Sequence, residues 1–409
     1  MKIALATIGT TGDVVPFVAL ARGMTAAGHE VTAVSWELHR TAFEGAASSF
    51  LPTGPPTSRD EIAETASRAA AAGSPLAQVA VLRDFHLRDA ADHYRHLREV
   101  LPGHDLVVLH GIHTLAEAAV RDAGQAWASA VFDPVLLPTA AAPPAGMPSL
   151  GPLNRVEWWI LDRMLRRQDK PLRAVLESAG SSAARQVTMF RARSPRLHLV
   201  GCSPRIAPPP TDLASNTHFT GAWTDPTPPA SLPQALDQFL AAGPPPVVVT
   251  FGSMAAPDPA ALASAVVSGI HDAGHRVVLQ GVPAMLDGDD VLSVATVDHR
   301  ALFPRAAAVI HHGGAGTTHT AVASGVPSLV IPHVGDQPFW AMRLHQLGVA
   351  PSPLAVKAVT VDEVRERVAQ ASAEPMRSAA ARLGKAVSAE GGVRTAIGLI
   401  ERALETPAA

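Results

Sequence analysis

Short, almost continuous apolar runs, each closed by a turn and followed by a stretch of helical spacing, recur along this 409-residue chain. The first run covers residues 3–8, a helical stretch follows over 16–27, Gly28 stands where a C-terminal cap belongs, and the next run covers 31–35. Further runs at 106–110 and 128–132 each follow a helical stretch. A strand without polar alternation reads as buried on both faces, and strands alternating with helices predict an α/β fold with parallel sheets covered by helices.

Proline marks the division of the chain. Pro208-Pro209-Pro210, Pro228-Pro229 and Pro244-Pro245-Pro246 crowd one region, and proline cannot donate to a sheet ladder. The pattern then restarts with runs at 247–251, 277–280, 308–311 and 328–331. A single core stops growing near ~250–300 residues, so two domains are expected. They are residues 1–205 and 247–409, joined by a linker over 206–246 that holds one short helix at 232–242. The proline-rich stretch 134–152 reads as a long loop beyond the carboxyl end of the strand at 128–132, where ligands of open α/β sheets bind.

Composition narrows the function. With 47% apolar and 17% charged residues the chain is no disordered or fibrous protein. A net charge of −3 argues against a nucleic-acid partner. The single cysteine, Cys202, excludes an internal disulfide framework and a cysteine-built zinc site, and suits a reducing compartment. The N-terminal apolar run is too short for a signal-peptide core, and no run approaches the ~18 residues of a membrane span. A cytoplasmic protein without stable membrane insertion is expected.

Four segments carry chemistry, each just past a strand. In Val309-Ile310-His311-His312-Gly313-Gly314-Ala315-Gly316-Thr317-Thr318 a strand runs through glycines into a helix. Glycines admit close approach of backbone N–H groups to an anion, and a helix N-terminus adds about half a positive charge. The spacing matches neither the P-loop nor the dinucleotide fingerprint, and taken alone it also suits a tight turn without a ligand. Phe251-Gly252-Ser253-Met254 offers a hydroxyl to a phosphate or is a plain turn. In Gly9-Thr10-Thr11-Gly12-Asp13 the aspartate reads as a general base or as a helix cap. Gly335-Asp336-Gln337-Pro338 pairs a carboxylate with an amide, which suits the vicinal hydroxyls of a sugar, or is turn chemistry.

Taken together and in this order, the four segments resemble the family 1 glycosyltransferases of the GT-B type, in particular the vancomycin-group and other natural-product enzymes and the sterol 3-beta-glucosyltransferases. His218-Phe219-Thr220-Gly221-Ala222-Trp223 is similar to a further segment of that subgroup. The likeness is strong over residues 1–35 and 298–348 and thin between about 43 and 200. It implies two Rossmann-like domains facing each other across a cleft, with the acceptor on residues 1–205 and a nucleotide sugar on 247–409. The last helix is expected to pack back on the first domain.

Carried over by position, the resemblance implies Asp13 as the base that deprotonates the acceptor. His312, Gly314, Ala315, Gly316, Thr317, Ser253 and Thr10 fall on the donor diphosphate, Asp336 and Gln337 on the sugar, and Val297 near the nucleobase. Gly12, Trp158 and Trp159 are candidates for acceptor contact. It further implies inversion without metal or other cofactor, a UDP- or TDP-sugar as co-substrate, and a small lipophilic acceptor such as an antibiotic-type aglycone. Thr320 stands near where uridine-sugar users of plants carry a ribose-gripping glutamate, which leaves TDP-sugars open. The alternatives are a sterol or lipid glucosyltransferase, a nucleotide-sugar epimerase, or a non-catalytic auxiliary protein of the same fold.

Other signals carry less. Asp287-Gly288-Asp289 spells a metal-binding Asp-x-Asp motif inside a Gly/Asp-rich loop, an unpromising place for a metal site. His86, His93 and His96 share one helical stretch and are expected on a solvated face. Trp158 and Trp159, followed by Arg163, Arg166 and Arg167, read as a core-packed amphipathic helix, as a lid on an apolar acceptor, or as a weak membrane-surface element.

Overall fold

A computed structural model describes residues 1–72, 74–135, 137–144, 147, 149–251, 259–281 and 288–405. The chain forms two compact units, Met1–Pro204 with Pro208–Pro226 and Gly391–Ala409, and Arg205–Ala207 with Thr227–Glu390.

The first unit is built on seven strands, β1 (Lys2–Ala6), β2 (Glu30–Ser35), β3 (Ser49–Pro52), β4 (Leu106–His110), β5 (Trp127–Val131), β6 (His198–Val200) and β7 (Thr217–Phe219). They pair in the order β3-β2-β1-β4-β5-β6-β7, every pair parallel. The second unit carries β8 (Val247–Thr250), β9 (Val277–Gln280), β10 (Val291–Val294), β11 (Ala308–His311) and β12 (Ser328–Val330), parallel in the order β10-β9-β8-β11-β12. The order in which successive strands are added reverses between β1 and β4 in one unit and between β8 and β11 in the other. Such switch points open crevices beyond the strands' carboxyl ends.

Alternate residues of each strand feed opposite layers. In the first unit Ile3, Leu5, Leu106 and Val108 face Phe17, Leu20 and Met24 of helix α1 (Thr11–Ala26), whereas Ala4, Ala6, Val107 and Leu109 face Tyr94, Leu97, Ala116 and Leu172. In the second, Val247, Val249 and Ile310 pack with Val266 and Val364, and Val248, Val278 and Val309 with Leu236, Leu302 and Phe303. The apolar runs read from the sequence are these doubly buried strands.

Where the sequence suggests a linker over 206–246, the structure places elements in both units. β7 pairs with β6 inside the first sheet, and helix Gln234–Ala241 buries Leu236 and Leu240 in the second unit. The prolines bracket these elements instead of filling a tether. β3, β6, β7 and β10 are short and only in part apolar, as Ser49-Phe50-Leu51-Pro52 and Thr217-His218-Phe219 show, so no unbroken apolar run marks them. Helix α8 (Val393–Glu405) lies with the first unit, against α1. Gly23 permits that approach, since a Cβ there would meet Val393 Cγ1 at 2.6 Å, and His29 Nε2 pairs with Glu401 at 3.0 Å.

Among the described residues no helix is long and apolar enough to cross a membrane. Between α1 and α8 in the chain come, among others, α2 (Asn154–Gln168), α3 (Pro259–Asp272), α4 (Ala315–Ala323), α5 (Gln337–Gln346), α6 (Val361–Ser372) and α7 (Glu374–Ser388). Gly384 of α7 rests on backbone: a Cβ would lie 2.6 Å from both Gly325 Cα and the Val322 carbonyl oxygen. Gly384→Ala is expected to cost about 1–3 kcal/mol, as overpacking does, and to lower the urea midpoint. An unchanged midpoint would contradict the packing described.

Candidate active site

In the second unit β11 ends at fully buried His311, whose Nδ1 accepts from the Gly313 N–H at 3.1 Å and so turns the chain sharply. Gly313 has a φ of +90°, and a Cβ there would meet Val330 Cγ1 at 2.8 Å. At Gly314 the requirement is space, because a Cβ would lie 2.5 Å from His312 Nε2. The imidazole of His312 therefore lies directly over the start of α4. The N–H groups of Ala315, Gly316 and Thr317 precede the first helical bond, from Thr318 N–H to the Gly314 carbonyl. Burial, with His333 close by, lowers the His312 pKa to about 4. At neutral pH the ring is an uncharged hydrogen-bonding group.

Around this turn stand the other strand ends. Gln280, closing β9, donates to the Val297 carbonyl at 3.2 Å and lies 2.9 Å from His299, which stacks on Phe303 at 4.3 Å. Val297 itself is half-buried. Past β12, Gln337 is 5% exposed and its Oε1 accepts from the N–H groups of His333 and Val334, at 2.7 and 3.0 Å. Its amide oxygen thus holds the 333–334 turn, leaving its NH₂ for other partners. Asp336 is more open, with Oδ2 taken by Trp340 Nε1 at 2.6 Å. Thr320 turns its hydroxyl back to the Gly316 carbonyl at 2.9 Å. Ser253 and Asp287 lie outside the described residues.

In the first unit both readings of the Gly9–Asp13 segment meet in one side chain. Asp13 Oδ2 accepts from Thr10 N–H at 2.7 Å and from Thr10 Oγ1 at 2.8 Å, the return arm of a capping box. Thr10 turns its hydroxyl proton toward that carboxylate. Gly9, at φ +114°, is required twice over, since a Cβ would meet Asp13 Oδ2 at 2.5 Å and Ile112 Cδ1 at 3.1 Å. Oδ1 is left free beside exposed Gly12, with His110 Nε2 at 3.9 Å.

Ile8 and Ile112 also line a small cavity of about 20 Å³ with Trp36, Phe85, His86 and His113. His113 is fully buried and neither ring nitrogen has a partner among the described residues, nor does His93 Nε2. The cavity has room for about one water. The solvated face expected for His86 and His93 is therefore replaced by an aromatic interior, in which His86 stacks on Trp36 at 6.0 Å and His93 meets His113 at 5.5 Å. Among the described residues no cluster of three or more His, Cys, Asp or Glu could hold a metal ion. His39, His110 and His113, unremarked in the sequence, all sit at or just past strand ends, and position relative to β2 and β4 would have singled them out.

Trp158 and Trp159 part ways. Trp158, on α2, is 4% exposed and donates Nε1–H to the Ala142 carbonyl at 2.9 Å, tying the proline-rich loop to the helix. Its ring has no face left for an acceptor. Trp159 is 58% exposed under the Arg163 guanidinium.

Comparison with known proteins places this geometry. Residues 256–393 match the erythromycin biosynthesis protein CIII-like C-terminal domain, and residues 3–54 the glycosyltransferase family 28 N-terminal domain. The chain is 34% identical to O-mycaminosyltylonolide 6-deoxyallosyltransferase of Streptomyces fradiae over 99% of its own length and 98% of that protein's. It is 44% identical to vancomycin aglycone glucosyltransferase of Amycolatopsis orientalis over 37% of each chain. The glycosyltransferase of kitacinnamycin shares the fold with a TM-score of 0.74 at 22% identity, covering 98% of this chain and 99% of its own. The glycosyltransferase VinC, solved in complex with DTDP, does so at 0.66 and 20%, over 99% and 100%. The chain belongs to the family 1 GT-B glycosyltransferases and is a glycosyltransferase enzyme.

The buried histidines carry a prediction. Burial lowers His39, His86, His299, His312 and His319 to about 4, and His93, His198 and His311 to about 3, all from an ordinary value of 6.5. Between those values the unfolded chain binds more protons than the folded one. The stabilisation is complete above about pH 6.5 and is lost as the pH falls toward 4. Urea midpoints should decline steadily from pH 7 to pH 4.5; a flat profile would contradict the burial of these rings.

Proposed function

We propose that this glycosyltransferase moves a sugar, with inversion, from a nucleoside diphosphate donor to a hydroxyl of a small lipophilic secondary-metabolite aglycone. Relatives named for macrolide and glycopeptide acceptors support the acceptor class. The observation that carries the donor assignment is the His312–Thr317 turn, where an imidazole edge and three helix-start amides converge past β11. That is an anion cradle, and a diphosphate suits its extent. Of the two pyrimidine donors, TDP-sugars are favoured by the thymidine diphosphate complex of VinC and by a Thr320 hydroxyl already engaged with its own helix.

In this reading Asp13 Oδ1 removes the acceptor proton while the acceptor oxygen attacks the anomeric carbon opposite the diphosphate. Thr10 and Gly9 hold the carboxylate in place, and Gly12 borders the acceptor. Charge developing on the leaving diphosphate is met by the α4 N-terminus, already oriented before the reaction, with the His312 ring alongside it. These groups supply the stabilisation without a metal ion or other cofactor. Ser253 would add a hydroxyl to the diphosphate, and Val297 would border the base. Asp336, and Gln337 through its NH₂, would bind sugar hydroxyls. Trp159 offers an aromatic face to the acceptor. The setting is cytoplasmic.

Two measurements test this. UDP or TDP, with EDTA present, should raise the melting temperature; a ligand at a hundred times its dissociation constant stabilises by about 2.7 kcal/mol. The shift should vanish in His312→Ala and Gly314→Ala, and its absence in the wild type would contradict the donor site. Asp13→Ala should lower turnover by about 10²–10⁴-fold, the usual worth of general-base assistance. Turnover within a few-fold of wild type would remove Asp13 from the role.

A further inference from the structure

Beside Asp13 lies a titratable group that the chemistry above leaves unused. His110 is the last residue of β4, across the switch point from β1, and only 4% exposed. Its ring is enclosed by Phe17 and Phe132, with centroids at 5.6 and 5.2 Å. Nε2 lies 3.9 Å from Asp13 Oδ1, the oxygen that Thr10 leaves free.

The other edge of the ring decides which nitrogen carries the proton. Thr7 Oγ1 donates its single proton to the Asp13 carbonyl at 3.1 Å. Toward His110 Nδ1, 3.5 Å away, the same oxygen can only accept. Nδ1 is therefore the protonated nitrogen, and the lone pair of Nε2 faces the carboxylate. An unprotonated nitrogen opposite an unprotonated oxygen, with only a short gap between, is a vacant seat for a proton. The other titratable neighbours are His113, in the turn after β4, and His39, after β2, which faces Asp13. Burial keeps both neutral, so neither competes for the charge.

We propose that His110 is the proton-relay residue behind Asp13: the proton that Oδ1 takes from the acceptor hydroxyl passes on to Nε2. The acceptor O–H bond breaks and its electron pair forms the new glycosidic bond. The diphosphate leaves with the electrons of the old one, and the proton rests on His110, with the Asp13 carboxylate ionised again beside it. Burial lowers the His110 pKa, the Asp13 charge opposes that, and imidazole is ordinarily the stronger base of the two. The relay thus gives a weakly basic aspartate an effective strength nearer the working pH. His110 acts through Asp13 and touches no substrate, which makes it a positioning residue. The inference rests on Asp13 being the base.

Two readouts keep the inference and that premise apart. The first is ¹⁵N NMR of histidine-labelled protein at pH 7.5, with the His110 signal assigned by its loss in His110→Gln. Asp13→Asn, which perturbs the same ring, assigns it if His110→Gln does not fold. A protonated Nδ1 and bare Nε2 are expected; a proton on Nε2 overturns the relay. The second is turnover of TDP-glucose with O-mycaminosyltylonolide, and with water alone. His110→Gln and His110→Asn, which cannot accept the proton, should each lose about tenfold or more in kcat. They should keep the thermal shift given by TDP, and the acid limb of the pH profile should move to lower pH as only the carboxylate remains. In the Asp13→Asn background His110→Gln should cost nothing further. An unmoved acid limb, or an equal loss in both backgrounds, overturns the relay with Asp13 still the base; an active Asp13→Asn enzyme removes the premise itself.

Discussion

A parallel strand can pair with its neighbour only after the chain has crossed back over a face of the sheet, so every strand ends at the same edge. Both units obey this constraint, and the remaining chemistry follows from it. In the second unit the ends of β9, β11 and β12 bring Gln280, His312 and the 333–337 turn to one rim. In the first, the ends of β1, β2 and β4 bring Asp13, His39 and His110 to another. Residues separated by up to a hundred positions meet because topology leaves them no other place. The helices that close each crossover aim their N-termini at the same rim, supplying the capping geometry at α1 and the helix-start amides at α4.

Close backbone approach then converts position into function. Gly9 makes room for the Asp13 carboxylate and Gly314 for the His312 ring, and a Cβ at either would lie 2.5 Å from the working group. Gly313 adds a left-handed turn against Val330. Such glycines carry no chemistry, yet they fix how far each polar group stands from its helix start.

Much of this was legible in the residues. The strands at 106–110, 277–280 and 308–311 have the limits read from their apolar runs, because doubly buried strands leave an unbroken pattern. The glycine turn and the aspartate after β1 were legible for the same reason, being punctuation on strong elements. The three-residue strands β6 and β7 were not, and neighbouring prolines disguised β7 as part of a tether. The fate of Trp158 and Trp159 turned on one helical step, which set one indole on a loop carbonyl and the other outside. The histidines at 86, 93, 110 and 113 gave no local signal, since a buried imidazole and a solvated one look alike in a sequence. Thr10 and Gln337 show a further case, where local hydrogen bonds that no motif reveals engage part of the side chain.

The central claim is direct displacement, with Asp13 on the acceptor and the diphosphate leaving from the opposite face. The anomeric configuration of the product tests it most directly. Starting from an α-linked TDP- or UDP-glucose, with EDTA present and a macrolide aglycone as acceptor, the account predicts a β-glucoside. An α-glucoside, or transfer that requires an added divalent cation, would contradict it.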